Sequence, residues 1–230
     1  MSRVTRPQRA ATAPITIITT AGTALFGIEH TGGFVAGDSV AVVGPGAIGL
    51  MAVQCAKALG AGKVILTGTR DERLNLGKKL GADVVVSSAG TDAGLAIKRQ
   101  SEGRGVDVAI DISGVYAALQ QALRCVHREG LVVTVSFYGD QTGRIDLSSE
   151  WHHNRITLRS SMPVWGCAHR WQPMWDLARV ECVAIGLLED RKLQVEPLIG
   201  ARVPFEQAAD AYAMIDESPG DKVKILLTYD

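Results

Sequence analysis

Cysteine, aromatic side chains and net charge are all scarce in this chain of 230 residues. Four cysteines occur, Cys55, Cys125, Cys167 and Cys182, and no two form a C-x-x-C pair. That spacing excludes a dithiol redox motif or a zinc ribbon, and it reads as buried thiols in a reducing compartment. The 24 Lys and Arg residues balance the 24 Asp and Glu residues. A neutral chain has no electrostatic footprint for nucleic acid or for an anionic membrane, so neither is expected as a partner. Long apolar runs are also missing. The most apolar stretch is broken by Gly44, Pro45, Gly46 and Gly49, which argues against a membrane span. No run resembles a signal peptide, and the expected location is the cytoplasm. There is no internal repeat and no low-complexity segment.

What remains is an ordinary globular composition, 47% hydrophobic and 21% charged. One stretch organises it. Residues 39–60 open with the apolar run Val40–Val43, turn through Gly44, Pro45, Gly46, Ala47, Ile48 and Gly49, and continue with apolar residues at helical spacing, Leu50, Val53, Ala56 and Leu59. This is G-x-G-x-x-G between a strand and a helix, the context that gives it meaning. Gly44 permits the tight turn, Gly46 leaves room for a pyrophosphate at the backbone, and Gly49 lets helix and strand lie close. The free N–H groups and positive end of the helix would then hold phosphate charge. The competing reading is a glycine-rich turn with no ligand.

Strands and helices alternate from there. Strands are expected at 39–43, 63–67, 83–86, 106–111, 131–136 and 156–159. Helices are expected at 47–59, 71–80 with Asp71 as N-cap, 91–101 and 115–127, and a polar loop at 139–150. An earlier helix spans 19–30. The fold class is therefore α/β: a Rossmann doubly wound parallel six-stranded sheet in the order 3-2-1-4-5-6, with a C-terminal helix and short-strand appendage. The appendage has an amphipathic helix through Trp171, Trp175, Ala178, Cys182 and Ile185, its tryptophans read as core or interface. It continues with a strand at 198–203, a helix at 205–215 and a strand at 222–228. The expected division is a disordered tail at 1–14, a dinucleotide-binding domain at 15–165 and the appendage at 166–230.

Several segments together resemble the zinc-dependent medium-chain alcohol dehydrogenases, of the sorbitol and threonine dehydrogenase kind. They are residues 37–50 (GDSVAVVGPGAIGL), 56–61 (AKALGA), 72–74 (ERL), 79–83 (KLGAD), 108–114 (VAIDISG) and 204–211 (PFEQAADA). The resemblance covers residue 16 to the end. It implies an NAD(P)-dependent oxidoreductase that moves hydride between an alcohol or polyol carbon and the nicotinamide. It also implies a dimer or tetramer built through the sheet edge at Ile156–Arg159. In such enzymes a separate catalytic domain carries the zinc ligands, a Cys and a Gly-His-Glu motif, and neither element of that domain is found here. The remaining ligand would fall near Thr19 or Thr20, and threonine is not a normal zinc ligand. No metal-binding or catalytic residue is assigned. Segment 196–230, which in the family completes that catalytic domain, must pack differently, pair with another chain or stay loose. A second reading follows, of a different class: a cofactor-binding module without turnover of its own. A third, an S-adenosylmethionine methyltransferase, is disfavoured by the segments that follow strands two to five.

The resemblance also bears on the cofactor. Family members bind the NAD ribose through an acid at the end of strand two. Here that slot holds Gly68, followed by Thr69 and Arg70. An absent carboxylate beside an arginine favours NADP over NAD, unless Arg70 is a solvated loop cation. Arg73 would add to a 2′-phosphate site or pair with a neighbouring acid. Ile112, Ser113 and Gly114 end strand four and are expected near a cofactor ribose. Phe137 and Tyr138 follow strand five and are expected along the nicotinamide. Thr23 aligns with a threonine that touches the nicotinamide ring, or it is an ordinary helix threonine. His152 and His153 make a poor chelate because adjacent side chains on a strand point apart. Asp111, inside strand four, is read as packing or bonding the backbone.

Overall fold

The computed structural model describes residues 15–29, 37–139, 143–162, 176–218, 220 and 222–229. Its centre is β1 (Ser39–Val43), buried along its whole length. A strand covered by helices on both faces has no polar side to show, which is why it is apolar without alternation. It leads into α2 (Ala47–Ala58), and β2 (Lys63–Gly68), α3 (Asp71–Lys79), β3 (Val84–Ser87), α4 (Ala93–Arg99), β4 (Val106–Asp111), α5 (Tyr116–Cys125), β5 (Val126–Thr134) and β6 (Thr157–Ser160) follow. These six strands form one parallel sheet in the order β3-β2-β1-β4-β5-β6. The expected topology is thus the observed one. The order reverses at β1, whose last residue, Val43, pairs with Thr67 on one side and Asp111 on the other. A crevice at the carboxyl ends of the strands follows from that reversal.

Each face of the sheet has its own core. On one, α1 (Ile15–Glu29), α2, α3 and α6 (Leu177–Glu189) cover Val40, Val42, Leu66 and Ile110 through Leu25, Leu50, Leu74 and Val180. On the other, α4 and α5 cover Ala41, Ile65 and Val132 through Ile97, Leu119 and Leu123. Helix α6 lies on α1, so the later part of the chain shares the first core. Beyond it, β7 (Ile199–Pro204) and β8 (Lys224–Thr228) pair in parallel as a separate two-stranded sheet, joined through α7 (Ala208–Glu217). The rings of Phe205 and Tyr229 stack at its end, 4.9 Å apart. No described helix is long and apolar enough to cross a membrane.

Several details correct the sequence reading. Arg70, not Asp71, occupies the cap position of α3, in an extended conformation, and makes no side-chain cap bond. Asp71 and Glu72 lie inside the first turn, where they act by charge on the positive helix end. Helix α5 stops at Cys125 and β5 begins at once, five residues before its expected start. The polar loop contains a π-type turn at Leu147–Trp151, entered from Asp146, whose carboxylate accepts from Ser148 N. Strand β6 starts one residue late because Ile156 turns into the core. Cys55 and Cys125 are buried as expected, but Cys182 is exposed on α6. Cys167, His30, His169, Trp171 and Trp175 fall outside the described residues.

Candidate functional site

The glycine turn is fixed by contacts that only glycine tolerates. Gly44 has φ +108°, and a Cβ on it would stand 3.0 Å from the backbone of Ser113. A Cβ on Gly49 would lie 1.9 Å from the carbonyl oxygen of Gly44. Gly46 differs: it caps α2 with no side-chain bond, and a Cβ there would meet nothing within 4 Å. Its side is therefore open, in front of the helix's first, unbonded N–H groups.

This turn forms the floor of a cavity of about 460 Å³ at the carboxyl edge of β1, β2 and β4. Val43, Gly44, Pro45, Gly46, Thr67, Gly68, Thr69, Arg73, Ile112 and Ser113 line it, with Ser88, Thr91, Val115 and Gln121 on the far side. Thr67 is buried, and among the described residues its Oγ1 has no hydrogen-bond partner. An orphaned buried hydroxyl costs about 1–3 kcal/mol, and this oxygen is closed off from the cavity that Thr67 lines. The residues present fit a dinucleotide: a glycine floor, a helix N-terminus for phosphate, and neutral polar groups around an apolar slot.

Of the expected site residues, Gly44, Gly46, Gly68, Thr69, Ile112 and Ser113 line this cavity. Ala47, Ile48 and Gly49 stand just behind it in the first turn of α2. Arg70 is exposed and does not line it; Arg73, one helical turn on, does. The Arg73 Nε donates to the Gly220 carbonyl at 3.1 Å and Nη2 to the Lys222 carbonyl at 3.4 Å, so the approach to β8 is tied to the cavity rim. Burial, and then the charge of Arg70 close by, hold the Arg73 guanidinium below its ordinary pKa. Arg73 alone of the two arginines lines the cavity, and the Arg70 guanidinium lies beside it against Gly220.

The remaining expected residues lie elsewhere. Thr23 donates its hydroxyl to the Thr19 carbonyl at 2.9 Å, one turn back within α1. Phe137 is 91% exposed. Tyr138 turns away from the cavity: its ring stacks on Tyr116 at 5.0 Å and its hydroxyl donates to the Asp111 carboxylate. Asp111 is fully buried, and burial raises its pKa despite hydrogen bonds from Tyr138 and Ser113. Burial and the Asp111 charge push the Tyr138 phenol up. Among the described residues no three His, Cys, Asp or Glu side chains come together as a metal site, and Thr19 and Thr20 stand where the resemblance puts a ligand, so zinc does not fit there. Thr67, Ser88, Thr91 and Gln121 escaped the sequence reading. Thr67 left a signal, a lone hydroxyl in the apolar run of β2.

Fold and cleft define a doubly wound protein of the Rossmann type. The chain belongs to the zinc-binding dehydrogenase family, whose pattern residues 47–179 match. It is 34% identical to the D-guloside 3-dehydrogenase of Escherichia coli K12 over 84% of this chain and 55% of that one. It is 30% identical to the L-threonine 3-dehydrogenase of Pyrococcus furiosus over 85% of this chain and 53% of that one. The chain thus spans about half the length of the curated relatives it matches. Among solved structures, a zinc-binding dehydrogenase from Sinorhizobium meliloti bound to NADP superposes with a TM-score of 0.76 at 24% identity, covering 94% of this chain and 61% of that one. An alcohol dehydrogenase of E. coli CFT073 complexed with NADH gives 0.79 at 22% identity, covering 97% and 61%.

Proposed function

We propose that this chain supplies the cofactor-binding half of an NAD(P)-dependent oxidoreductase of the medium-chain alcohol and polyol dehydrogenase type. The observation that carries the reading is the open glycine turn at Gly46, in front of the first N–H groups of α2 and facing a cavity at the carboxyl edge of the sheet. The dinucleotide, when bound, supplies the hydride acceptor or donor. The chain's own residues bind and orient it. The first turn of α2 receives phosphate, Gly44 and Ser113 form one wall, and Arg73, with Arg70 beside it, faces the position of an adenosine 2′-phosphate. NADP is the favoured cofactor on that account. Both NADP and NADH occur in structures of this fold, so the rim chemistry, not the fold, supports the choice.

A second reading is favoured by Thr19 and Thr20, which occupy the ligand position in α1: the chain is a binding module without turnover of its own, its catalytic zinc carried by another domain or chain. The division into a dinucleotide-binding part at 15–165 and an appendage at 166–230 belongs to this proposal, with β7, β8 and α7 as the part that meets such a domain. So does self-association through the edge strand β6, which would cover its unpaired backbone. Titration with NADPH and NADH, followed by nicotinamide fluorescence and with Gly46→Asp as control, tests the core of the reading. Binding lost in the variant supports it, and absence of binding to the wild type rejects it. Turnover of simple polyols with added zinc separates the two readings.

A further inference from the structure

We infer that Asp111 is a positioning residue that locks the turns after β4 and β5 into one unit, so that a single buried carboxylate ties the cleft wall at Ser113 to the neighbouring turn through Tyr138. The inference rests on the reading of that cleft as a dinucleotide site. The backbone ladder between β4 and β5 ends where Asp111 pairs with Thr134, with one further bond from Val135 N to the Asp111 carbonyl at 2.9 Å. Beyond that point side chains hold the turns together. Asp111 Oδ1 accepts from Ser113 N at 3.1 Å and from Ser113 Oγ at 2.7 Å. Its Oδ2 accepts from the Tyr138 hydroxyl. Ser113 Oγ accepts in turn from Val115 N at 3.1 Å, and Gly114 N donates to Ser136 Oγ at 2.9 Å. Gly114 has φ +70°, and a Cβ on it would stand 3.1 Å from the Phe137 carbonyl oxygen.

One oxygen of the carboxylate thus fixes the turn that carries Ser113 into the cavity wall, and the other fixes the turn that carries exposed Phe137. A fully buried carboxyl is an expensive way to fill a core position. An aliphatic side chain would serve the hydrophobic face as well, but it could not accept from two turns at once. Ser113 also abuts Gly44, so the unit continues into the phosphate-binding turn.

The variants Asp111→Asn and Tyr138→Phe test this, with Asp111→Ala as the fuller deletion. An asparagine can keep both arms, since the Tyr138 hydroxyl also accepts from an amide N–H, so Asp111→Asn is the conservative control, and Tyr138→Phe removes one arm alone. Hydrogen exchange of the unliganded protein is the first readout. In Tyr138→Phe, amides of residues 113–115 and 136–139 are expected to exchange at least tenfold faster together, and in Asp111→Asn they are expected to stay within threefold of wild type. Faster exchange confined to one turn overturns the coupling. The second readout is affinity for NADPH and for ADP. Tyr138→Phe is expected to weaken NADPH three- to tenfold and to leave ADP within twofold. Asp111→Ala weakens both more than tenfold. Unchanged NADPH affinity in Tyr138→Phe, with a lower melting temperature, makes the pair merely structural and overturns the inference. A wild type that binds neither ligand rejects the cleft reading instead, and the exchange experiment then still decides whether the turns are coupled.

Discussion

Gly68 lies against the ring of Pro45: a Cβ on Gly68 would stand 2.2 Å from Pro45 Cδ and 2.4 Å from Cγ. The slot in which a ribose-binding acid would sit is therefore filled by the second residue of the glycine turn. Replacing Gly68 by Asp should displace the turn before its carboxylate can meet a ribose. Affinity for both NADPH and NADH is expected to fall more than tenfold, and the double variant Pro45→Gly, Gly68→Asp should regain NADH binding selectively. Fluorescence titration of the two single variants and the double variant closes the cycle. NADH binding gained by Gly68→Asp alone contradicts this geometry.

Arg73 predicts a split between cofactors. Arg73→Ala should weaken NADPH about tenfold or more while NADH changes less than threefold, since only NADPH offers a 2′-phosphate. The same variant removes the bonds to Gly220 and Lys222 carbonyls. Amides of β8 should then exchange faster even without ligand, which separates the two roles of the side chain.

The unpartnered, closed-off hydroxyl of Thr67 predicts an effect on stability without one on binding. Thr67→Val keeps the shape and removes the orphaned group, so unliganded stability should rise by about 1 kcal/mol in denaturant unfolding. NADPH affinity should change less than threefold, because the oxygen is closed off from the cavity. A less stable variant, or one that loses NADPH affinity, contradicts this burial.

Two buried-edge carboxylates should shape the pH dependence of stability with opposite sign. Burial raises the Asp107 pKa, but bonds from Ser39 N, Ser39 Oγ and His127 outweigh it, and the net shift is downward. Its contribution is present above the ordinary Asp value and is lost as pH falls through the folded value. The Asp111 pKa is raised, so its contribution is fullest at low pH and is lost as pH rises through the folded value. Relative to wild type, Asp107→Asn should lose stability at neutral pH and converge with it in acid. The difference for Asp111→Asn should grow more favourable between acid and neutral pH. Unfolding series from pH 2.5 to 7.5 check both signs.

The central fold was legible because its signals are local. The run 39–60 carries its strand, its turn and its helix in one continuous piece, and both ends matched within a residue. The site was legible as far as it is backbone: Gly44, Gly46 and Gly68 are in the cavity wall. What escaped depends on side chains that meet from distant segments. Tyr138 was expected along the nicotinamide, yet its hydroxyl reaches Asp111, 27 residues away in the chain. Arg70 stands nearer the end of β2, yet its guanidinium lies against Gly220 outside the cavity, and Arg73, one helical turn on, lines it. The parallel pairing of β7 with β8 has no local signal either, since it depends on where α7 carries the chain.

The contact of Gly44 with Ser113 also governs when the molecule becomes competent to bind. The glycine turn follows β1 directly, but its opposite wall arrives only when β4 docks, a pairing between segments such as Ser39 and Asp107 that lie 68 residues apart. Closure of so long a loop comes late relative to local helix formation. In refolding, acquisition of dinucleotide binding should therefore lag behind the helical signal, and a bound dinucleotide reports on a finished sheet rather than seeding one.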